Sequence, residues 1–167
     1  MAALGTMERS DGAFAVRFSR DLDATPESVF RCLVDPAQLS KWLATATVEP
    51  VVGGGIHLRW DAGHDEIRGV VTEFVDGRVL ECSWSAGDGD DVPSLLRLEV
   101  EPLDGTTRLH LVHAGVAKDE AADLGARWQS HLEALEELLA GRTPARPVGA
   151  ARYEALLGDY RALVEGT

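Results

Sequence analysis

The stretch from Asp119 to Ala140, DEAADLGARWQSHLEALEELLA, decides the fold. Its large apolar side chains recur at steps of three and four, the spacing that keeps them on one face of a helix: Leu124, Trp128, Leu132, Leu135 and Leu139. Polar residues lie between them, so the opposite face is predicted to be solvated. Gly141 follows, as is typical of the position just past a helix end. Because a helix of about 20 residues is only marginally stable alone in water, we expect a sheet to cover its apolar face.

The residues before this helix show the alternation of apolar and polar side chains that is typical of β-strands. Phe14, Val16 and Phe18 indicate a first strand. From residue 47 onward, further strands are predicted near 47–52, 55–61, 66–75, 78–85, 94–102 and 107–114. The turns between them are predicted at 53–55, 62–64, 76–77, 87–89 and 104–105. Asp76-Gly77 and Asp104-Gly105 are strong hairpin signals, and such short connections imply antiparallel pairing.

Two short helices are predicted between the first strand and the second. Thr25 can cap the first helix and Pro26 suits its first turn, whereas Pro36 ends it and, with Asp35, begins the second. The sequence therefore predicts an α+β fold. A curved antiparallel sheet of about six to seven strands wraps around a long C-terminal helix, and two short helices follow the first strand.

Segments on either side of this core differ from it in pattern. Residues 1–13 carry no periodicity and are predicted to be a flexible leader, before a core domain at 14–141. The Pro- and Gly-containing segment 142–149 is predicted to be a linker to an appended amphipathic helix at 150–167. Its apolar stripe comprises Tyr153, Leu156, Leu157, Tyr160, Leu163 and Val164. We expect this helix to dock either on its own domain or on a second copy of the chain, as a homodimer.

Composition excludes several functional classes. The 167 residues fit one domain with extensions. The net charge of −12, without a cluster of Lys and Arg, disfavours nucleic-acid binding. No apolar run approaches the about 18 residues of a membrane span, and no secretory signal is visible, so we expect a cytoplasmic protein. Cys32 and Cys82 have no CxxC partner and are expected to be reduced core thiols.

No residue set specifies metal or catalytic chemistry. His110 and His113 are three apart on a predicted strand, so they project to opposite faces and cannot share a metal ion. The remaining histidines lack ligands at the usual spacings, and a G-x-S-x-G motif is missing. The sequence therefore predicts no metal site, no cofactor and no assigned catalytic residue.

Large side chains on the predicted strands and on the long helix form the remaining group of candidate site residues. Trp60, Trp84 and His113 each share strand parity with apolar neighbours, and Trp128 lies on the apolar face of the long helix. We expect these four side chains to meet between sheet and helix. They could simply fill the core, or they could surround a ligand. A histidine among apolar neighbours needs a hydrogen-bond partner, which could be backbone, water or a ligand head group. On the ligand alternative, we predict His113 to be the polar anchor of an apolar cavity.

The order of several segments resembles the START-like, or SRPBCC, superfamily. Within it, the chain is similar to the group that includes the activator of the ninety-kilodalton heat-shock protein ATPase. The segments that carry the likeness are DATPESVFRCLVDPAQLSKWL at 23–43, VVGGGIHLRW at 51–60, IRGVVTEFVDGRVLECSW at 67–84, LRLEVEPLDGTTRLHLVHAGV at 96–116 and the Trp128–Leu139 helix. The resemblance implies a helix-grip fold, in which many relatives hold an apolar or amphipathic molecule between helix and sheet. Many relatives also have two adjacent aromatic residues after the second short helix, whereas here Leu43 follows Trp42.

Three functional hypotheses follow. The first is a binding domain for a small hydrophobic or amphipathic molecule, with these candidate ligand-binding residues: Trp42, Trp60, Trp84, His113 and Trp128. The second, implied by the resemblance, is a co-chaperone-like interaction domain with a chaperone partner. The third is an SRPBCC-type enzyme of unknown reaction, since one fold hosts many activities.

Overall fold

The computed structural model describes residues 3–60, 66–87, 92–144 and 150–167. Across these ranges the chain forms eight strands and four helices: β1 Thr6–Ser10, β2 Ala13–Leu22, α1 Pro26–Val34, α2 Pro36–Trp42, β3 Thr45–Val48, β4 Gly55–Arg59, β5 Glu66–Val75, β6 Val79–Trp84, β7 Ser94–Pro102, β8 Thr107–Val116, α3 Lys118–Leu139 and α4 Ala150–Glu165. The predicted turn at 62–64, part of the predicted turn at 87–89 and most of the predicted linker lie outside the described residues.

The strands form one curved antiparallel sheet in the order β1-β2-β8-β7-β6-β5-β4-β3. Tight turns join β5 to β6 and β7 to β8, where Gly77 and Gly105 have φ angles of 79° and 80°. Only glycine adopts such angles without strain, so the two predicted hairpins are confirmed. The chain between β2 and β3 runs through α1 and α2 to the opposite edge of the sheet.

The two short helices begin where the capping residues predict. The Ser28 backbone N–H donates to Thr25 Oγ1 at 3.2 Å at the start of α1. Asp35 ends α1 and begins α2, where its Oδ1 accepts from the Ala37 N–H at 3.0 Å. A side-chain acceptor at this position satisfies one of the amide groups that a helix start leaves unpaired.

Helix α3 packs its apolar face into the concave side of the sheet. Trp128, Leu132 and Leu135 on this helix are buried, as are Leu109 and Leu111 on β8. The predicted helix-grip architecture is therefore confirmed. The structure also shows that α3 is buried on a second face, because Gln129 and Ser130 are buried although the sequence pattern predicts them to be solvated.

Helix α4 covers that second face of α3. Leu156, Tyr160 and Val164 are buried between α4 and its own domain, so the docking occurs within the chain. The Tyr160 hydroxyl donates to Gln129 Oε1 and accepts from the Gly5 backbone N–H at 2.8 Å. A buried glutamine on α3 thereby obtains a partner, as a buried polar group requires.

The prediction of a flexible leader is wrong for Thr6–Ser10. This segment is β1, an edge strand whose Met7 pairs with Val16 of β2. Most side chains of β1 are exposed, so no apolar alternation marks it in the sequence. The turn into β2 is made by Asp11 and Gly12, both with positive φ, and Asp-Gly is itself a hairpin signal.

The predicted strand near 47–52 lies earlier, as β3 at Thr45–Val48. After Pro50 the chain turns back, and the Gly53 N–H donates to the Val71 carbonyl at 2.8 Å. Among the described helices, none is long and apolar enough to cross a membrane.

Candidate ligand-binding site

A cavity of about 530 Å³ lies between the sheet and the N-terminal half of α3. Its lining comes from the ends of several strands and from α3, which the fold brings together at one end of the sheet. Cavities of about 300–1,000 Å³ are the usual size of small-molecule sites. The volume of this cavity, which is open to solvent on one side, falls within that range.

Aromatic rings form one side of this cavity, and we call Trp60, Trp84, Trp128 and His131 the aromatic wall. The ring centroids of Trp84 and Trp128 are 5.4 Å apart, and those of Trp60 and Trp84 are 6.4 Å apart. His131 lies 6.2 Å from Trp60 and 6.0 Å from Trp128. These are the separations that tilted aromatic pairs prefer, so the rings support one another. Trp60 and Trp84 are only half-buried, although they point toward the interior.

His113 connects the sheet to the helix behind this wall. It is fully buried, and the Trp128 Nε1–H donates to its Nδ1 at 2.9 Å. Because an indole nitrogen can only donate, Nδ1 must be the acceptor, and the ring proton lies on Nε2. Nε2–H then donates to Ser94 Oγ at 2.7 Å, and the Ser94 hydroxyl donates to the Trp84 carbonyl at 3.3 Å.

The environment of His113 keeps its ring neutral. Burial lowers the pKa of His113 from its usual 6.5 to about 3, because the charged imidazolium would lose its hydration. The sequence suggests a backbone, water or ligand partner, but the partners are two side chains. Since both ring nitrogens are already paired, His113 in this state holds Trp128 and Ser94 in position and has no ring nitrogen left for a ligand head group.

Charged side chains surround the mouth of the cavity, and we call Glu66, Glu120, Asp123 and Arg127 the charged rim. The Arg127 Nε lies 2.9 Å from Asp123 Oδ2, and the Tyr153 hydroxyl of α4 donates to Asp123. Sequence reasoning missed this rim because it predicts a solvated polar face for α3. The i,i+4 spacing of Asp123 and Arg127 is the signal that could have indicated the pair.

Glu66 of β5 is paired with His57 on the neighbouring strand β4 and with Arg68 on its own strand. Its Oε2 lies 3.1 Å from His57 Nε2 and 3.4 Å from Arg68 Nη2. The hydrogen bond from His57 is the main reason why the pKa of Glu66 is lowered. Its charge at the rim is therefore shared with basic neighbours.

Trp42 is not brought to this site. Its ring is fully buried in the hydrophobic core, and its Nε1–H donates to the Cys32 carbonyl at 2.8 Å. It does not line the cavity, because α2 directs it toward α1. Of the candidate residues, the structure brings together Trp60, Trp84, His113 and Trp128.

The two cysteines are buried and unpaired. Burial raises the pKa of Cys82 to about 12 and also raises that of Cys32, so both thiols are protonated near neutral pH. In the part of the chain that the structure describes, no group of three or more His, Cys, Asp or Glu side chains is placed to hold a metal ion.

A curved antiparallel sheet that grips a long helix, with a cavity between them, defines the START-like, or SRPBCC, class of protein. The chain belongs to a family of this class: its residues 23–140 match the model described as activator of Hsp90 ATPase homolog 1-like protein. A comparison with curated proteins found no match.

Solved structures share the fold at low sequence identity. CalU16 from Micromonospora echinospora is 18% identical, with a TM-score of 0.77 over 96% of each chain. DynU16, described as a protein in the dynemicin biosynthetic locus, is 20% identical, with a TM-score of 0.70 over 81% of this chain and 50% of its own. The Aha1 dimer from Colwellia psychrerythraea is 20% identical, with a TM-score of 0.64 over 75% of this chain and 95% of its own. At these identities the likeness shows the fold alone.

Proposed function

We propose that this protein binds a small hydrophobic or amphipathic molecule in the cavity between the sheet and α3. The observation that carries the proposal is a volume of about 530 Å³ beside three tryptophans, where a tightly packed core would leave almost no space. Apolar rings beside a cavity of this size gain free energy when an apolar ligand replaces water there.

One structural neighbour, DynU16, supports a small-molecule role. DynU16 is described by its place in a biosynthetic locus, which is a setting of small-molecule chemistry. An enzymatic reaction has less support, because His113 has both ring nitrogens engaged. The unpaired, buried cysteines are compatible with a reducing compartment such as the cytoplasm.

Native mass spectrometry of the purified protein tests this proposal. We expect a defined additional mass, which extraction then identifies. Leu124→Trp should fill part of the cavity and remove that mass, because Leu124 lines it. Leu138→Trp is the matched control, since Leu138 is on the same helix but away from the cavity. If the parent carries no added mass, and a neutral aromatic probe such as 2-naphthalenemethanol does not bind by calorimetry, the proposal is wrong.

A chaperone-interaction role is the second candidate, favoured by the family description and by one surface feature. Val51 and Val52 are 58% and 66% exposed on the β3–β4 loop, and Val70 of the neighbouring β5 is 49% exposed. Exposed apolar clusters of this kind are typical of interaction surfaces. Stimulation of a chaperone's ATPase by the parent, lost in Val52→Glu and kept in Val75→Glu, would support this candidate, and no stimulation by the parent would exclude it.

A homodimer through α4 would have to use residues of that helix other than the three that are already buried. Leu156, Tyr160 and Val164 are already buried within their own chain. We therefore propose that α4 packs against its own domain rather than against a second copy of the chain. Light scattering on the full chain measures the oligomeric state directly.

A further inference from the structure

We propose that the cavity selects aromatic amphiphiles that carry a positive charge. The aromatic part lies against Trp60, Trp84 and Trp128, and the cationic group lies at the charged rim near Glu120. This inference rests on the proposed function and specifies the chemical class of its ligand.

The inner end of the cavity cannot accommodate a charged group. His113 pairs with Trp128 and Ser94 through its two nitrogens, and the Ser94 hydroxyl also donates to the Trp84 carbonyl. The indole rings of Trp60, Trp84 and Trp128 line the cavity beside them. Because a buried charge without a partner is very costly, the charge of any ligand must remain at the mouth.

One acidic side chain at the mouth, Glu120, forms no ion pair within the part of the chain that the structure describes. The Arg127 guanidinium is paired with Asp123, and Glu66 is paired with Arg68. Glu120 lines the cavity, is exposed, and forms no ion pair with any other described residue. The positive end of the α3 dipole is equivalent to about half a charge and is shared by Asp119 and Glu120 in the first turn, so it offsets only part of their negative charge.

The charge of the whole chain has the same sign. Its net charge is −12. A summed field of this sign attracts cations and repels anions before contact.

Tryptophan faces add a second preference for cations. Trp60 and Trp84 are half-buried, so part of each indole remains available to a ligand. The negative face of an indole attracts an ammonium group within about 6 Å of the ring centroid. A flat aromatic ligand can also adopt the tilted packing that these rings show among themselves. An amine attached to an aromatic ring system combines both contacts.

Calorimetry with three probes of one scaffold tests the class: 2-naphthylmethylamine, which is a cation at neutral pH, 2-naphthalenemethanol, which is neutral, and 2-naphthoate, which is an anion. We expect the amine to bind about fivefold or more tighter than the alcohol at low salt, and the carboxylate to bind most weakly. Raising the salt concentration should reduce the difference, because screening weakens the exposed charges.

Glu120→Gln should raise the Kd of the amine by about two- to threefold and leave the Kd of the alcohol unchanged, since it removes one exposed charge at the rim. Asp119→Asn is the matched control: it makes the same change in the same turn, at a residue that does not line the cavity, and should leave the ratio of the two Kd values unchanged. Equal Kd values for all three probes, or tightest binding of the carboxylate, would overturn this ligand class while leaving the proposed function intact. If none of the probes binds, this ligand class is wrong, and the proposed function fails with it only if native mass spectrometry of the parent also shows no added mass.

Discussion

The indole Nε1 of Trp128 lies 2.9 Å from Nδ1 of His113, a hydrogen bond between the long helix and the sheet. The donor can only donate, so this contact fixes the tautomer of the imidazole. It also determines what the second nitrogen does, because Nε2–H must then donate to Ser94. The consequence is a cavity floor whose polar groups are satisfied within the protein.

His113→Phe should destabilise the fold by about 2–4 kcal/mol, because the Trp128 N–H loses its acceptor and Ser94 loses a donor. Urea unfolding measures the change. Trp128→Phe removes the other partner of the same bond. If the bond matters, the double variant should lose less than the sum of the single losses. Strictly additive losses would show that the contact contributes nothing.

Stability should fall as the pH is lowered from about 6.5 to 5. His113 has a pKa of about 3 in the folded chain against a usual value of 6.5, so in this window the unfolded chain binds a proton that the folded chain does not. The free energy of unfolding then rises with pH, by up to about 1.4 kcal/mol per pH unit for one proton. Above pH 6.5 neither state binds this proton, so His113 no longer makes stability depend on pH. Unfolding at several pH values, for the parent and His113→Phe, measures the slope. The same slope in both proteins would contradict this origin.

Much of this site could be predicted from the sequence because strand parity is a local property. Trp60, Trp84 and His113 point to the interior as their apolar neighbours do. The partners could not be predicted, because Ser94 and Trp128 lie on other elements, 19 and 15 residues away from His113. Parity indicates a side of the sheet, whereas hydrogen-bond partners depend on how elements pack.

The fold was predictable to a similar extent. The apolar stripe of α3 predicts one buried face of that helix. Gln129 is buried because α4 packs over it, and the sequence pattern of α3 alone does not show where α4 packs. Trp42 was misplaced for the same kind of reason, since the orientation of α2 determines that its ring faces Cys32. Strand β1 pairs with β2 through its backbone, and because most of its side chains are exposed, its sequence shows no alternation of apolar and polar residues.

Gly125→Ala should displace α4 from α3. A Cβ at this position would lie 2.6 Å from the Tyr160 ring, closer than side-chain atoms approach one another. We expect faster proteolysis and faster hydrogen exchange across α4, with the sheet less affected. Gly158→Ala is the control, because a Cβ there meets nothing within 4 Å. That change should stabilise the helix by up to about 1 kcal/mol. Unchanged exchange in Gly125→Ala would argue against close packing of the two helices.

Truncation after Gly141 should lower the melting temperature. It removes the buried Leu156, Tyr160 and Val164 and exposes the second face of α3. Each fully buried side chain of this type contributes about 1.5–3 kcal/mol, so the loss should be several kcal/mol. Calorimetry and light scattering measure stability and self-association together. A truncated chain with the parent's melting temperature and mass would show that α4 does not stabilise the domain.

Trp84→Ala and Trp128→Ala should differ in how much stability they lose and in how far a bound ligand restores it. Trp128 is fully buried, so its loss should cost about 3–5 kcal/mol and remove the hydrogen bond to His113. Trp84 is half-buried beside the cavity and should cost less, because part of its ring has no protein neighbour to lose. An apolar aromatic molecule such as 2-naphthalenemethanol should partly restore the melting temperature of Trp84→Ala, since it can occupy the enlarged cavity. Thermal unfolding with and without the probe measures the rescue, and Leu95→Ala, on an exposed position of β7, serves as the control. Equal losses for both tryptophans without any rescue would mean that the rings only fill the core.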